Sequence, residues 1–200
     1  RELARMIKQA NIDFPMLEDE EFDNPMGEAT GAGAIFGTTG GVMEAALRAA
    51  YELITGEELQ NVEFEQVRGA KGIKKATVQM GDKEVRVAVA HGLGNAKKIM
   101  EEIKSGKADY QFVEVMACPG GCIMGGGQPI KNSKTRATVD VRRKRAEAMY
   151  SIDERSTIRK SQDNPILKAI YKEYIGQPGE HRAHELLHTH YTKKEKYNIF

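Results

Sequence analysis

Apolar and charged residues recur with a helical period between residues 41 and 56. The apolar positions share one face of the predicted helix: Met43, Ala46, Leu47, Ala50 and Ile54. The charged positions share the other face: Glu44, Arg48 and Glu52. This pattern is typical of an amphipathic helix that packs against a core. Thr39 or Gly40 can cap its start and Gly56 can end it, so the sequence predicts both ends of the helix.

A period of two replaces the helical period over residues 75–90. Val85, Val87 and Val89 alternate with residues of other types. The pair Gly81–Asp82 fits the two-residue turn of a β-hairpin. These residues therefore predict two antiparallel strands joined by a tight turn.

Residues 92–106 return to a helical period. Ile99, Met100 and Ile103 fall on one face, which we expect to be buried, and Gly106 is placed to end the helix. The segment therefore predicts a short amphipathic helix between two strands.

Residues 110–117 predict the second of those strands, with Phe112 and Met116 on the same face as Cys118 if the extended backbone reaches that far. Glu114 shares this face, and we expect it to be buried and satisfied by neighbours. The order strand, helix, strand predicts a parallel sheet crossed by a helix. The loop after the last strand then lies at a carboxyl edge, where open α/β sheets bind ligands.

The two ends of the chain carry no strand pattern. Residues 1–10 predict a helix, and the acidic, proline-containing residues 11–34 predict a long loop. From residue 137 onward we expect helices and turns without strands, one of the helices with Asn164 as its cap and Gly176 at its end. The predicted fold is α/β, a parallel sheet with flanking helices and a β-hairpin, followed by a helical tail. We expect one domain over residues 1–136 and the tail over 137–200.

Composition excludes several classes of protein. The 200 residues are 40% hydrophobic and 30% charged, with a formal net charge of +1, which argues against nucleic-acid binding through bulk charge. No apolar run reaches the ~18 residues of a membrane span. Two cysteines do not form a disulfide-rich scaffold, so we expect a reducing, cytoplasmic location. The chain starts at Arg1 inside a predicted helix, which suggests that it was cut from a longer protein.

The segment VEVMACPGGCIMGGGQP, residues 113–129, carries both cysteines. Soft sulfur ligands select iron–sulfur clusters or zinc. The many glycines let the backbone approach a bulky group and donate N–H groups to sulfide. No histidine lies near in sequence to complete a zinc site. A purely structural role for Cys118 and Cys122, or a disulfide between them, stays open at this point.

The same segment resembles the third cysteine motif of iron-only (FeFe) hydrogenases. GAIFGTTGGVMEAALR, residues 33–48, resembles the glycine-rich loop and helix that precede this motif in the family. The strings IRKSQDNPILKAIY and ELLHTHY resemble the hydrogenase small-subunit region. These matches follow the family's order over most of the chain.

The resemblance implies an active site called the H-cluster, a 4Fe–4S cubane bridged to a diiron unit, which interconverts dihydrogen with protons and electrons. By motif position, Cys118 would ligate the cubane and Cys122 would be the bridging thiolate. Met116 would pack against the diiron unit, and Phe36 and Gly37 would line the same pocket. Cys122 and Met116 are therefore the candidate catalytic residues.

The sequence lacks the family's earlier cysteine motifs, which supply the other two cubane ligands and a proton-transferring cysteine. We therefore expect the cluster to be incomplete or absent in this chain alone, and the chain to be inactive without an amino-terminal half. Ferredoxin or NADH-linked subunits would supply electrons, and self-association through uncovered apolar surface is also expected. Two alternatives are a hydrogenase-like iron–sulfur assembly scaffold and a sensory protein without turnover.

Two other motifs compete with this interpretation. The string HELLH, from His184 to His188, matches a zinc-protease motif, but only twelve residues follow it and His190 is too close to serve as a third ligand. The basic run from Arg142 to Arg145 is interpreted as the solvated face of a helix.

Overall fold

The computed structural model describes residues 2–21, 23–24, 27, 29–69, 71–193 and 195. Helix α1 spans Glu2–Gln9, as the sequence predicts. The predicted loop over residues 11–34 contains a short helical turn at Phe14–Met16 and ends earlier than expected, because helix α2 spans Gly31–Ile35. Pro25, part of that predicted loop, lies outside the described residues. In the described part of the chain, no helix is both long and apolar enough to cross a membrane.

Helix α3 spans Gly41–Thr55 between two glycines in the left-handed region, as predicted. Gly40 has φ 94° at its start and Gly56 has φ 71° at its end. Both conformations favour glycine because it lacks a Cβ atom. The prediction for the polar face is wrong, since Glu44 and Arg48 are fully buried. Their partners come from distant parts of the chain and are described below.

The sheet has three strands: β1 over Ile73–Met80, β2 over Lys83–His91 and β3 over Phe112–Met116. β1 and β2 form the predicted hairpin, with Met80 opposite Lys83 across the turn. β2 and β3 are parallel. The α/β class is confirmed, and the sheet is mixed because the hairpin contributes its antiparallel pair.

Helix α4 spans Leu93–Lys104 and crosses between β2 and β3. Its predicted apolar face is only partly buried. Ile99 is fully buried and packs with Ala88 and Ala90, whereas Met100 and Ile103 are exposed. A single short helix on a three-stranded sheet covers too little area to bury all three side chains.

The main core lies on the other face of the sheet, beneath α3. It brings together buried side chains of the helix, the strands and the connecting segment: Met43, Leu47, Phe64, Val67, Val78, Met80, Val87 and Val89. Burying each of these larger side chains contributes about 1.5–3 kcal/mol relative to leaving it in water. This core fixes α3 over the sheet and so sets where the preceding loop lies.

The described residues of the tail form helices and turns and contain no strand. Its helices are α5 over Ser133–Thr138, α6 over Val141–Arg155, α7 over Pro165–Ile170, continued by a π-helical turn at Tyr171–Ile175, and α8 over His181–Leu187. Asn164 caps α7 by accepting hydrogen bonds from the N–H groups of Ile166 and Leu167, as predicted. The predicted boundary after residue 136 falls inside α5, and the two-domain division stays a prediction.

A buried ion network joins the tail to the rest of the chain. Arg48 of α3 donates to both carboxylate oxygens of Asp153 on α6, at 2.8 Å each, and to Glu44 at 2.9 Å. Arg68 also donates to Glu44, at 2.6 and 2.8 Å. Arg159 donates to Asp153 at 2.5 Å. Helix α6 is therefore held against α2 and α3 by charged groups as well as by packing.

Candidate functional site

The cysteine loop begins where β3 ends. The strand stops at Met116, so Cys118 lies beyond it rather than on its face. Gly120 and Gly121 have φ values of 91° and 97°, which turn the chain back sharply. A short helical turn then spans Cys122–Met124. Both cysteines are free thiols; Cys118 is half-buried and Cys122 is exposed.

The glycine-rich loop between α2 and α3, residues 36–40, lies directly against the cysteine loop. The carbonyl of Gly37 accepts a hydrogen bond from the N–H of Ile123 at 3.0 Å. The N–H of Thr39 donates to the carbonyl of Gly120 at 3.2 Å. A Cβ atom at Gly121 would lie 2.7 Å from the Gly37 oxygen, so the two backbones meet at a distance that excludes a side chain there.

These contacts bring two of the sequence-predicted residues, Gly37 and Cys122, to one region. Gly37 touches the cysteine loop directly, and Phe36, beside it, is 45% exposed. Met116 is half-buried at the end of β3, and its carbonyl accepts a hydrogen bond from the N–H of Gly92 at 2.7 Å. Cys122 and Gly37 both line a cavity of about 560 Å³.

Basic side chains form part of the lining of that cavity. Lys131, Lys144 and Arg145 are among its lining residues. Arg145 of α6 also holds the segment after Cys122, because its guanidinium donates to the carbonyls of Ile123 at 2.7 Å and Pro129 at 2.8 Å. The interpretation of residues 142–145 as a solvated face missed this contact. The basic run was visible in the sequence, but which of its residues turns inward depends on the packing of α6.

Glu114 lies beneath the glycine-rich loop and is buried, as expected. Its carboxylate accepts hydrogen bonds from the N–H groups of Gly40 and Met43, at 2.7 Å each. Lys74 of β1 is also buried and donates to the carbonyls of Thr39 at 3.0 Å and Gly69 at 2.9 Å. Burial lowers the pKa of Lys74 to about 8, although the charge of Glu114 acts in the opposite direction. No pattern in the sequence marked Lys74.

The residues of the cysteine loop fit an iron–sulfur group. Two free thiols stand on one short loop whose backbone is largely bare of side chains. Gly125 lies against the thiol of Cys118, where even a Cβ atom would sit 3.4 Å from the sulfur. Thiolates and close backbone N–H groups are what such a cluster uses. Within the described residues, no group of three or more His, Cys, Asp or Glu side chains is placed to hold a metal ion.

The HELLH motif occupies α8 and the residue after it. The rings of His184 and His188 stack, with centroids 4.1 Å apart. His188 has φ −109° and ψ 144°, so it lies past the end of the helix. The motif is therefore not carried on a continuous helix through both histidines, which a zinc protease requires.

Two protein families match the sequence. Residues 1–126 match the family described as the iron only hydrogenase large subunit, C-terminal domain. Residues 139–194 match the iron hydrogenase small subunit family. Together the two matches cover the cysteine loop, the glycine-rich loop and the helical tail.

Individual relatives agree with these families. Iron hydrogenase 1 of Clostridium pasteurianum is 51% identical over 193 residues, which are 96% of this chain and 34% of that protein. Cytosolic iron-sulfur assembly component 3 of Rattus norvegicus is 32% identical over 163 residues, 81% of this chain and 33% of that protein. The chain thus spans about a third of the length of the curated relatives it matches.

A solved structure shares the fold. A variant of the FeFe-hydrogenase HydA1 from Chlamydomonas reinhardtii matches with a TM-score of 0.69 and 43% identity, over 94% of this chain and 53% of that one. The large-subunit family covers more than half of the 200 residues. This chain therefore belongs to the iron-only hydrogenase family.

Proposed function

We propose that this chain is the carboxyl-terminal part of the catalytic unit of an iron-only hydrogenase, which interconverts two protons and two electrons with dihydrogen. Cys118 would be a ligand of the cubane, and Cys122 would be the thiolate shared with the diiron unit. Met116 would pack against that unit, and Phe36 and Gly37 would line the same pocket. When bound, the cluster supplies the redox chemistry and the binding of hydrogen.

The contact between the two loops carries this proposal. The Gly37–Ile123 and Thr39–Gly120 hydrogen bonds place the glycine-rich loop beside both thiols. The protein's own contribution is to fix the backbone that carries these thiols and to bring the glycine-rich loop close to them. Loops that served only as turns would have no need for the close approach at Gly121, where a Cβ atom has no room.

The remaining ligands must come from another segment of protein. This chain has only two cysteines, and a cubane uses four cysteine ligands. Described residues near the start of the chain also leave apolar side chains uncovered, including Leu3 at 68% and Met16 at 77% exposed. Both observations support completion by an amino-terminal region such as the longer relatives carry. We therefore infer that the chain alone binds the cluster incompletely and does not turn over.

Electron partners and location follow from the same proposal. A hydrogenase exchanges electrons with a carrier, so we expect ferredoxin or an NADH-linked subunit as the partner. Free thiols at the site fit a reducing compartment, which favours the cytoplasm. Until the chain is completed, its uncovered apolar side chains favour self-association.

The experiment grafts these 200 residues in place of the matching segment of Clostridium pasteurianum Iron hydrogenase 1. The product, called the completed protein below, is produced without air together with the maturation enzymes. We expect hydrogen evolution from reduced carrier, and its loss in Cys118→Ser and Cys122→Ser variants. The unaltered relative serves as the positive control.

Two outcomes would contradict the proposal. One is a completed protein without hydrogen evolution while the unaltered relative is active. The other is an iron content that stays at the wild-type level when both cysteines are changed to serine. The isolated chain provides a third comparison, because it is expected to evolve no hydrogen under the same conditions.

A second candidate is an iron–sulfur assembly function. The 32% identity to Cytosolic iron-sulfur assembly component 3 favours it, since that relative shares most of the chain. Infrared spectra separate the two functions, because a diiron unit carries bound CO and cyanide whereas a scaffold does not. Such bands without turnover would point instead to a sensory protein.

A further inference from the structure

Two buried charges lie in one row across the sheet. Lys74 of β1 is opposite Val89 of β2, and Val89 is opposite Glu114 of β3. Side chains opposite one another share a face of the sheet, so the ammonium and the carboxylate point to the same side. Both residues are buried, at 7% and 5% exposed. A buried charge is costly unless it is paired and hydrogen-bonded, so the partners of these two groups are informative.

The partners of both charges converge on one peptide group. Glu114 accepts from the N–H of Gly40, and Lys74 donates to the carbonyl of Thr39. The peptide that links Thr39 to Gly40 is therefore held at its oxygen by a cation and at its nitrogen by an anion. The second oxygen of Glu114 accepts from the N–H of Met43, which also fixes the start of α3.

The same short segment holds the cysteine loop on its opposite side. Thr39 donates its N–H to the carbonyl of Gly120, two residues after Cys118. The next N–H in the cysteine loop, that of Gly121, donates to the carbonyl of Cys118 at 3.0 Å. A short chain of hydrogen bonds thus runs from the two charged side chains through Thr39 and Gly120 to the backbone carbonyl of Cys118.

We propose that Lys74 and Glu114 are positioning residues that fix the cysteine loop by forming hydrogen bonds with both ends of the Thr39–Gly40 peptide group. The pair touches neither thiol. The effect of these two residues on a bound iron–sulfur group rests on the function proposed above. Their effect on the conformation of the cysteine loop does not depend on that function. Two buried opposite charges are weak support for stability, because well-packed neutral replacements are often equally stable. The role of this pair is therefore expected to show in the geometry of the loop more than in the unfolding of the chain.

The first test needs no cofactor and uses the 200-residue chain itself. Cys118 is half-buried and Cys122 is exposed, so their alkylation rates with iodoacetamide, followed by mass spectrometry, report separately on the loop. The double variant Lys74→Met/Glu114→Gln removes both charges and leaves the net charge unchanged. We expect Cys118 to react about threefold faster or more, because the local opening that exposes it becomes more frequent, while Cys122 keeps its rate.

A matched control is present on the same sheet. Lys75 and Glu102 form an ion pair at 2.7 Å that is exposed, with side chains 47% and 32% accessible. The double variant Lys75→Met/Glu102→Gln makes the same chemical change away from the loop and is expected to leave both rates unaltered. Urea unfolding of each variant, followed by circular dichroism, shows whether a rate change reflects general loosening. If the Lys74/Glu114 variant does not fold, Glu114→Gln alone is measured in its place.

The second test uses the completed protein, loaded with the cubane alone. We expect the Lys74→Met/Glu114→Gln variant to show a changed electron paramagnetic resonance spectrum of the reduced cubane, with the control variant unchanged. Because the double variant conserves net charge, a changed spectrum reports altered ligand placement. If the folded variant keeps the wild-type ratio of alkylation rates and the wild-type spectrum, the proposal is overturned. If the wild-type completed protein holds no cubane, the proposed function fails, and alkylation still decides whether the pair fixes the loop.

Discussion

Removing the carboxylate of Asp153 should destabilise the protein strongly. This residue of α6 accepts two hydrogen bonds from Arg48 at 2.8 Å and one from Arg159 at 2.5 Å. Burial alone would raise the pKa of Asp153, but the hydrogen bonds and charges of both arginines hold that pKa below its ordinary value. Asp153 is therefore ionised at neutral pH and neutralises a cation that has no access to water.

The expected magnitude follows from what Asp153→Ala leaves behind. Arg48 would keep its charge and its contact with Glu44 but lose both bonds to α6, with its side chain still fully buried. Breaking a buried ion pair by removing one partner costs about 3–5 kcal/mol. For a chain of this size, each kcal/mol lowers the melting temperature by about 2–4 °C. The variant should therefore melt about 6–20 °C below the wild type.

Thermal unfolding followed by circular dichroism measures this difference, with Glu147→Ala as the control. Glu147 lies on the same helix and pairs with Arg143 and Lys144 at 2.7 Å, but at the surface, where such pairs contribute little. The replacement Arg48→Met/Asp153→Leu removes both charges and should recover most of the loss. An Asp153→Ala variant that melts with the control would refute the view that this network holds α6 in place.

Three further predictions test the loop and the titrating groups. Gly121→Ala should sharply lower the iron content of the completed protein, because the new Cβ atom would meet the Gly37 oxygen. Gly126→Ala is the control and should keep the iron content, because no atom lies within 4 Å of its new Cβ atom. Equal iron contents in the two variants would contradict this reasoning. Folding lowers the pKa of Lys74 from 10.5 to about 8, so between these pH values the unfolded chain binds more protons than the folded chain. The free energy of unfolding, measured in urea, should therefore rise from pH 8 to pH 10 in the wild type. The rise should be smaller in Lys74→Met. Hydrogen bonds from Lys160 and Gln162 lower the pKa of Glu52 to about 2. The stability that the ionised Glu52 contributes is therefore complete above pH 4.5 and is lost as the pH falls towards 2. A Lys160→Met variant that loses as much stability as the wild type over that range would argue against this role of Glu52.

Local signals in the sequence predicted the elements that build the site. Gly40 and Gly56 mark the ends of α3, and Asn164 marks the start of α7, because capping depends on residues a few positions apart. The turn at residues 81–82 follows from two residues and the alternation beside them. Such features need no knowledge of the rest of the chain.

Burial of charge could not be predicted in the same way. Glu44 and Arg48 occupy the polar face of α3 as its pattern indicates, yet both are fully buried because distant residues, Arg68 and Asp153, pair with them there. The Arg48–Asp153 contact joins residues 105 positions apart. Hydrophobic periodicity shows which residues avoid water in an isolated helix, and it does not show where a later helix will supply a countercharge.

The opposite error occurred at α4, where the pattern predicted more burial than the fold provides. Ile99 is fully buried, but Met100 is 48% exposed beside it. An apolar face can be covered only by something that lies against it, and among the described elements α4 packs mainly on β2 and β3. The exposed part of that face is therefore available to the amino-terminal region that the proposed function requires.

The helical tail contributes directly to the geometry of the cysteine loop. Arg145 of α6 donates a hydrogen bond to the carbonyl of Ile123, and the N–H of Ile123 donates a hydrogen bond to the carbonyl of Gly37. The peptide groups on both sides of Ile123 are thus fixed by two different parts of the chain, one residue after Cys122. Asp153, about two helical turns further along α6, anchors that helix to α3. The segment that matches the small-subunit family therefore helps to build the candidate site, since without it the loop that follows Cys122 loses one of its two supports.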